Sequence, residues 1–221
     1  FDYISCTGVL HHQADPSLGL RRLTSLLKPD GAMGVMIYGK YGRTGVYQMQ
    51  KLMRLINGDE TDLSVKIRNT RQVLAQLPPT NWFRHNESFL SDHKNLGDSG
   101  LVDLLLHEQD IAYSIEQVHQ LLAETGLNFV EFTDPNMRLA YRPETYIRDP
   151  ALLETIGKLD RVKQQAVAEL MVGLFMKHEF YASQQPDCQA RYGSLSHVPF
   201  FIPERSYRTL GTQISAAMRQ R

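Results

Sequence analysis

Cysteine is nearly absent from the chain: its 221 residues include two, Cys6 and Cys188. Two cysteines cannot build the disulfide framework of a small secreted domain, and their scarcity fits a reducing cytoplasm, the expected compartment. Charge of either sign is not in excess. Lys+Arg and Asp+Glu are both 24, for a formal net charge of 0, so the bulk basic charge that holds nucleic acid is missing. Long apolar runs are missing too. The longest, such as Leu170 to Met176, fall well short of the roughly 20 residues of a membrane-spanning helix, so no membrane partner is expected. Neither an internal repeat nor a low-complexity segment is seen. What remains is an ordinary globular composition, 42% hydrophobic and 22% charged, enough for one large domain or one domain with an appendage.

The first twelve residues organise the reading. Phe1, Tyr3, Ile4, Cys6 and Val9 give a short apolar run closed by Gly8 and the pair His11-His12. Such a run suits a strand covered on both faces in a parallel sheet. A core strand at residue one suggests the C-terminal part of a longer protein, one missing the N-terminal half of its own chain. Asp15-Pro16 starts a helix, because Asp caps free N–H groups and Pro loses nothing at the first helical position. Leu20, Leu23, Leu26 and Leu27 follow at helical spacing, Lys28 suits the negative end, and Pro29-Asp30-Gly31 turns the chain. Residues 32–38 are a second apolar strand. Strand, helix and strand make a βαβ unit, so an α/β fold with a partial doubly wound, Rossmann-like sheet is expected.

A loop with Gly39, Gly42 and Gly45 leaves the C-terminal end of that strand, where open α/β sheets bind ligands. Its spacing is not that of a dinucleotide fingerprint. Helical patterns cover 46–56 and 63–77, and the methionine-bearing faces of 46–56 and 170–176 read as core. From Thr80 to Gly100 the period is lost, as in a lid or binding loop. Ser114 to Gln117 is a capping box for a helix that Gly126 ends, and 127–132 is a third strand. Beyond Asp134-Pro135 the pattern becomes mainly helical, with one helical repeat running from Leu152 through about His178. Cys188 to Ser196 reads as loop and His197 to Pro203 as an edge strand. The chain thus divides into 1–135, with a helical insertion at about 44–113, and a helical extension over 136–221.

The string Phe1-Asp2-Tyr3-Ile4 through Val9-Leu10-His11-His12, followed by Asp15-Pro16, Leu23 and Leu26-Leu27-Lys28-Pro29-Asp30-Gly31, resembles the class I S-adenosylmethionine-dependent methyltransferases. Asp30 stands where many members carry Gly. The close likeness covers residues 1 to about 38 and a looser one Ser114 to Phe132, the family's next helix and sixth strand. The resemblance implies that the first strand is the fourth of the family's sheet and that S-adenosyl-L-methionine is the cofactor. It also implies transfer of a methyl group to an acceptor, small molecule or protein, that the residues do not identify. The family's Gly-rich loop and its ribose-binding acid are not among these residues. The alternative reading is a degenerate member kept as a binding or assembly module. A nicotinamide-dependent oxidoreductase on a similar sheet is a third.

On the same resemblance, Thr7, Gly8, Val9 and Leu10 would line the cofactor. His12 and Tyr38 are the candidate catalytic residues, one as a base and the other touching acceptor or cofactor, and Tyr41 and Arg43 are placed on the substrate side. Asp103 and His107 lie four apart on an expected helix, near His85 and His93. Such spacing can hold a metal, but surface polar residues are the simpler reading and no metal site is expected.

Overall fold

The computed structural model describes residues 1–90, 92–186 and 188. Strand β1 (Tyr3–Thr7) pairs in parallel with β2 (Ala32–Tyr38), in register from Tyr3 opposite Ala32 to Thr7 opposite Met36. Helix α1 (Pro16–Leu26) connects them, and the Asp15 carboxylate accepts the N–H groups of Ser17 and Leu18 at 3.0 and 3.1 Å. The expected βαβ unit is therefore present. Two details differ. The first strand ends at Thr7, because Gly8 turns the backbone to φ 75° and residues Leu10–His12 form a turn of 3-10 helix. β1 is also not covered on both faces: among the described residues it pairs with β2 alone, and only Cys6 on it is buried.

The sheet has the order β1-β2-β4-β3, with β4 (Lys177–Ser183) antiparallel to both β2 and β3 (Asn128–Phe132). β4 corrects the expectation of one helical repeat through His178. Helix α9 (Pro150–Gly157) and helix α10 (Arg161–Val172) are separate, because Asp160 caps the second through the Lys163 N–H at 2.9 Å. Gly173, at φ 64°, then ends α10 in the left-handed conformation that a side chain resists. The next residues alternate, with His178, Phe180 and Ala182 buried. A strand from the segment read as helical extension thus lies in the middle of the sheet. The loop and edge strand expected beyond Cys188 lie outside the described residues.

Between β2 and β3 the chain forms α2 (Thr44–Asn57), α3 (Leu63–Gln76), α4 (Trp82–His85), α5 (Asp92–Asn95), α6 (Gly97–Leu105) and α7 (Ile115–Glu124). Short helix α8 (Pro135–Ala140) follows β3. The stretch from Thr80 to Gly100 is largely short helices rather than loop. Each is too brief to show a helical period, and they are held by a second core of Val46, Met49, Phe83, Leu90, Leu104 and Leu105. The main core lies on the face of the sheet that carries Met33, Val35, Ile37 and Phe180, and it joins them to helix residues such as Leu20, Ile115 and Leu122. Burial of each such side chain contributes about 1.5–3 kcal/mol. Met49 and Met53 are core as expected, whereas Met171 is half exposed on α10. No helix among the described residues is long and apolar enough to cross a membrane.

The glycines after β2 serve packing. A Cβ on Gly39 would lie 2.1 Å from the Phe175 carbonyl oxygen, and one on Gly42 would lie 2.5 Å from the same atom. The loop is pressed against the backbone that leads into β4, and the Gly39 N–H donates to the Met176 carbonyl at 2.8 Å.

Candidate functional site

Because β1 and β2 are parallel, their C-terminal ends, Thr7 and Tyr38, leave the sheet on the same edge, the edge at which open α/β sheets bind ligands. The chain returning from the helical insertion is stitched across both ends. Ile111 N–H donates to the His11 carbonyl at 2.9 Å, and Tyr113 N–H donates to the Tyr38 carbonyl at 2.9 Å. Of the four residues expected along the cofactor, Thr7 and Val9 are exposed and Gly8 is half-buried at this edge. Leu10 is different, since its side chain lies in the main core. Only its backbone remains near the edge.

The two histidines part company here. His11 is fully buried, and its ring stacks on Tyr38 with centroids 3.7 Å apart. Neither of its ring nitrogens has a hydrogen-bond partner among the described residues. Burial, with the neighbouring His12 ring, pulls its pKa down to about 4, so the ring is neutral at pH 7. His12 is half-buried; its Nδ1 faces the Gln109 carbonyl at 3.3 Å, and its ring lies 4.1 Å from that of His107. Burial raises the Tyr38 phenol above its usual value. It is therefore protonated near neutrality. Tyr41 is half-buried, and its phenol is raised by burial as well.

Arg43, expected on the substrate side, is buried. Its guanidinium sits 3.5 Å from the Tyr38 ring centroid and pairs with Asp110 at 2.9 Å. Asp110 also accepts from the Tyr47 hydroxyl at 3.2 Å and from the Gln50 amide at 3.3 Å. The charge of Arg43 is thus already met within the protein. Asp110, Tyr47 and Gln50 were not foreseen. The signal available for them was the polar row Arg43, Tyr47 and Gln50 along a face of α2 whose neighbours Val46, Met49 and Met53 are core.

A second buried polar group anchors the other side of β2. The His178 Nε2–H donates to the Tyr113 carbonyl at 2.7 Å, and its Nδ1 accepts from the Tyr141 hydroxyl at 2.6 Å. Burial lowers the His178 pKa to about 4 and raises Tyr141. Glu169 accepts the Ile115 N–H at the start of α7 at 2.8 Å, and burial still raises its pKa to about 7. Beside the site, Gln50, Arg54, Asn57, Lys66 and His107 line a shallow cleft of about 210 Å³.

No protein-family model matches the chain. An uncharacterized protein from Synechococcus sp. is 30% identical over 188 residues, which are 84% of this chain and 44% of that protein. Two structures of PKMT2 from Rickettsia typhi, one of them in complex with AdoHcy, match with TM-scores of 0.63 and 0.64 at 18% identity. Each match covers 84% of this chain and 36% of PKMT2. The chain therefore spans less than half the length of these relatives, and its fold is a methyltransferase fold.

Proposed function

We propose that the chain forms one side of the active site of an S-adenosylmethionine-dependent methyltransferase. The observation that carries this is the open edge at Thr7, Gly8 and Val9, on a sheet whose structural neighbour is solved with AdoHcy, the product S-adenosylmethionine leaves on giving up its methyl group. An exposed Thr, a half-buried Gly and a half-exposed Val suit a flat, partly apolar ligand face. When bound, the cofactor supplies an electrophilic methyl on a sulfonium, transferred in line to an acceptor atom. This chain's own residues position and shield. The Thr7–Val9 ledge supports the cofactor's methionine and adenine side. His12, the accessible member of the pair, takes the proton from an acceptor that must lose one. Tyr38, held protonated, donates to the acceptor or cofactor, and Tyr41 borders the acceptor. Arg43, already paired with Asp110, positions the Tyr38 ring from behind instead of binding the acceptor.

Amide NMR of the full chain titrated with AdoHcy to millimolar concentration tests the reading. Shifts centred on Thr7, Gly8 and Val9, lost in Val9→Glu, a change at an exposed side chain, while the remaining spectrum is kept, are the expected result. Shifts elsewhere with this edge silent would remove the cofactor from the site.

A further inference from the structure

We propose that His12, Asp103 and His107 bind a divalent transition-metal ion of the zinc class and clasp the tip of β1 to the end of α6. His12 lies some ninety residues from Asp103 and His107 in the sequence, yet one ligand atom from each of the three lies within 4.8 Å of the other two. A tetrahedral ion with bonds of about 2.0–2.1 Å keeps its ligands roughly 3.4 Å apart. The three atoms thus need to close by at most about 1.4 Å. Asp103 is exposed and both rings are half-buried, so side-chain rotation suffices.

The donor set fixes the class of ion. Two imidazoles and one carboxylate are borderline ligands that favour zinc and its transition-metal neighbours over magnesium or calcium, which take oxygen. Three protein ligands leave a coordination position open. His107 also lines the cleft that holds Gln50, Arg54, Asn57 and Lys66, so an incoming water or oxygen ligand has a route to that position.

Backbone groups already orient both rings. With the His12 Nδ1–H donating to the Gln109 carbonyl at 3.3 Å, Nε2 keeps a free lone pair, the arrangement by which carbonyls hold metal-binding histidines. His107 Nδ1 accepts the Gln109 N–H at 3.2 Å, and loading exchanges that hydrogen bond for a coordinate bond or turns the ring. One residue, Gln109, thereby braces both imidazoles. Adjacent His11 takes no part, since its ring is turned inward onto Tyr38. Only one histidine of the pair can reach an ion, because successive side chains of the 3-10 turn Leu10–His12 diverge by about 120°, and the third ligand comes instead from α6.

The proposal is independent of the cofactor edge at Thr7 to Val9, whereas His12 can serve as a base only in the metal-free protein, because its Nε2 lone pair cannot hold a proton and an ion at once; it is tested by binding alone. Zinc is titrated into the full chain against a chromophoric chelator, and cobalt binding is followed by visible absorption. The expected result is one equivalent of zinc bound by the unaltered protein. His107→Ala and His12→Ala should each weaken binding at least tenfold, and Asp103→Asn, an exposed near-isosteric change that leaves the fold untouched, should do so too. His85→Ala, on an exposed histidine outside the cluster, should bind like the unaltered chain. Absence of stoichiometric binding by the unaltered chain, or equal affinity in Asp103→Asn and the unaltered chain, overturns the proposal.

Discussion

The burial of Arg43 makes a sharp prediction about stability. The side chains of Arg43 and Asp110 are 6% and 0% exposed and pair at 2.9 Å. Arg43→Met keeps much of the volume and removes the charge. Asp110 would then hold a buried carboxylate on two neutral donors, the Tyr47 hydroxyl at 3.2 Å and the Gln50 amide at 3.3 Å. Breaking a buried pair from one side costs about 3–5 kcal/mol. The two remaining hydrogen bonds, each contributing about 1 kcal/mol, keep the cost toward the lower end. Loss of the guanidinium from the Tyr38 ring adds about 0.5–2 kcal/mol. The sum is a loss of about 3–5 kcal/mol in urea denaturation followed by circular dichroism. Adding Asp110→Asn to Arg43→Met removes the orphaned charge and should return more than half of the loss. A surface or substrate-facing arginine would instead change stability by no more than about 0.5 kcal/mol. A loss under about 1 kcal/mol for Arg43→Met, or a further loss on adding Asp110→Asn, would refute the reasoning.

Glu169 predicts a pH dependence. Burial raises its pKa to about 7, above the unfolded value of about 4.3, so the folded state binds the proton more tightly. Its stabilising effect is full below about pH 4 and is lost as pH rises through 7, by roughly 2 kcal/mol once solvent screening is allowed for. Glu169→Gln, which mimics the protonated acid, should flatten the urea midpoint between pH 5 and 8, and an unchanged slope would count against the assignment. Gly39→Ala places its Cβ 2.1 Å from a backbone oxygen that cannot rotate away, and should cost about 1–3 kcal/mol. Gly157→Ala at the end of α9 meets nothing within 4 Å and should be neutral or slightly stabilising; equal melting temperatures for the two variants would show that the Phe175 contact is not limiting.

The βαβ start of the fold was legible because its punctuation is local. Asp15 caps α1 with its own carboxylate, and Gln117 closes the capping box with Ser114 at 2.9 Å. Each signal acts over a few residues and needs no partner elsewhere. β4 had no such mark. Its buried face is His178, Phe180 and Ala182, and only the phenylalanine carries a strong apolar signal. His178 is buried because Tyr113 and Tyr141 satisfy its two nitrogens, partners supplied by the insertion and by the turn after α8. The sequence around it therefore continued the preceding helical pattern. The clustered aromatic and polar residues from Thr80 to Gly100 misled in the same way, since helices of four residues have no period to read.

The candidate site divides along the same line. The edge at Thr7, Gly8 and Val9 follows from where a parallel strand ends, and a strand's end is readable. What surrounds it is not, because Arg43 finds Asp110, and His12 meets Asp103 and His107, only after the insertion has folded back over the sheet. Arg43 shows why residue type alone misplaces function. An arginine in a glycine-rich loop at a sheet's ligand edge reads as an anion holder, yet its guanidinium is committed to Asp110 and to the face of Tyr38. The insertion's returning segment is hydrogen-bonded to His11 and Tyr38 through Ile111 and Tyr113. Any change that loosens α2 or α6 must therefore be felt at the tips of β1 and β2. The surroundings of this edge are set by the folding of the insertion and not by a free loop, which makes the buried Arg43–Asp110 pair a determinant of its geometry.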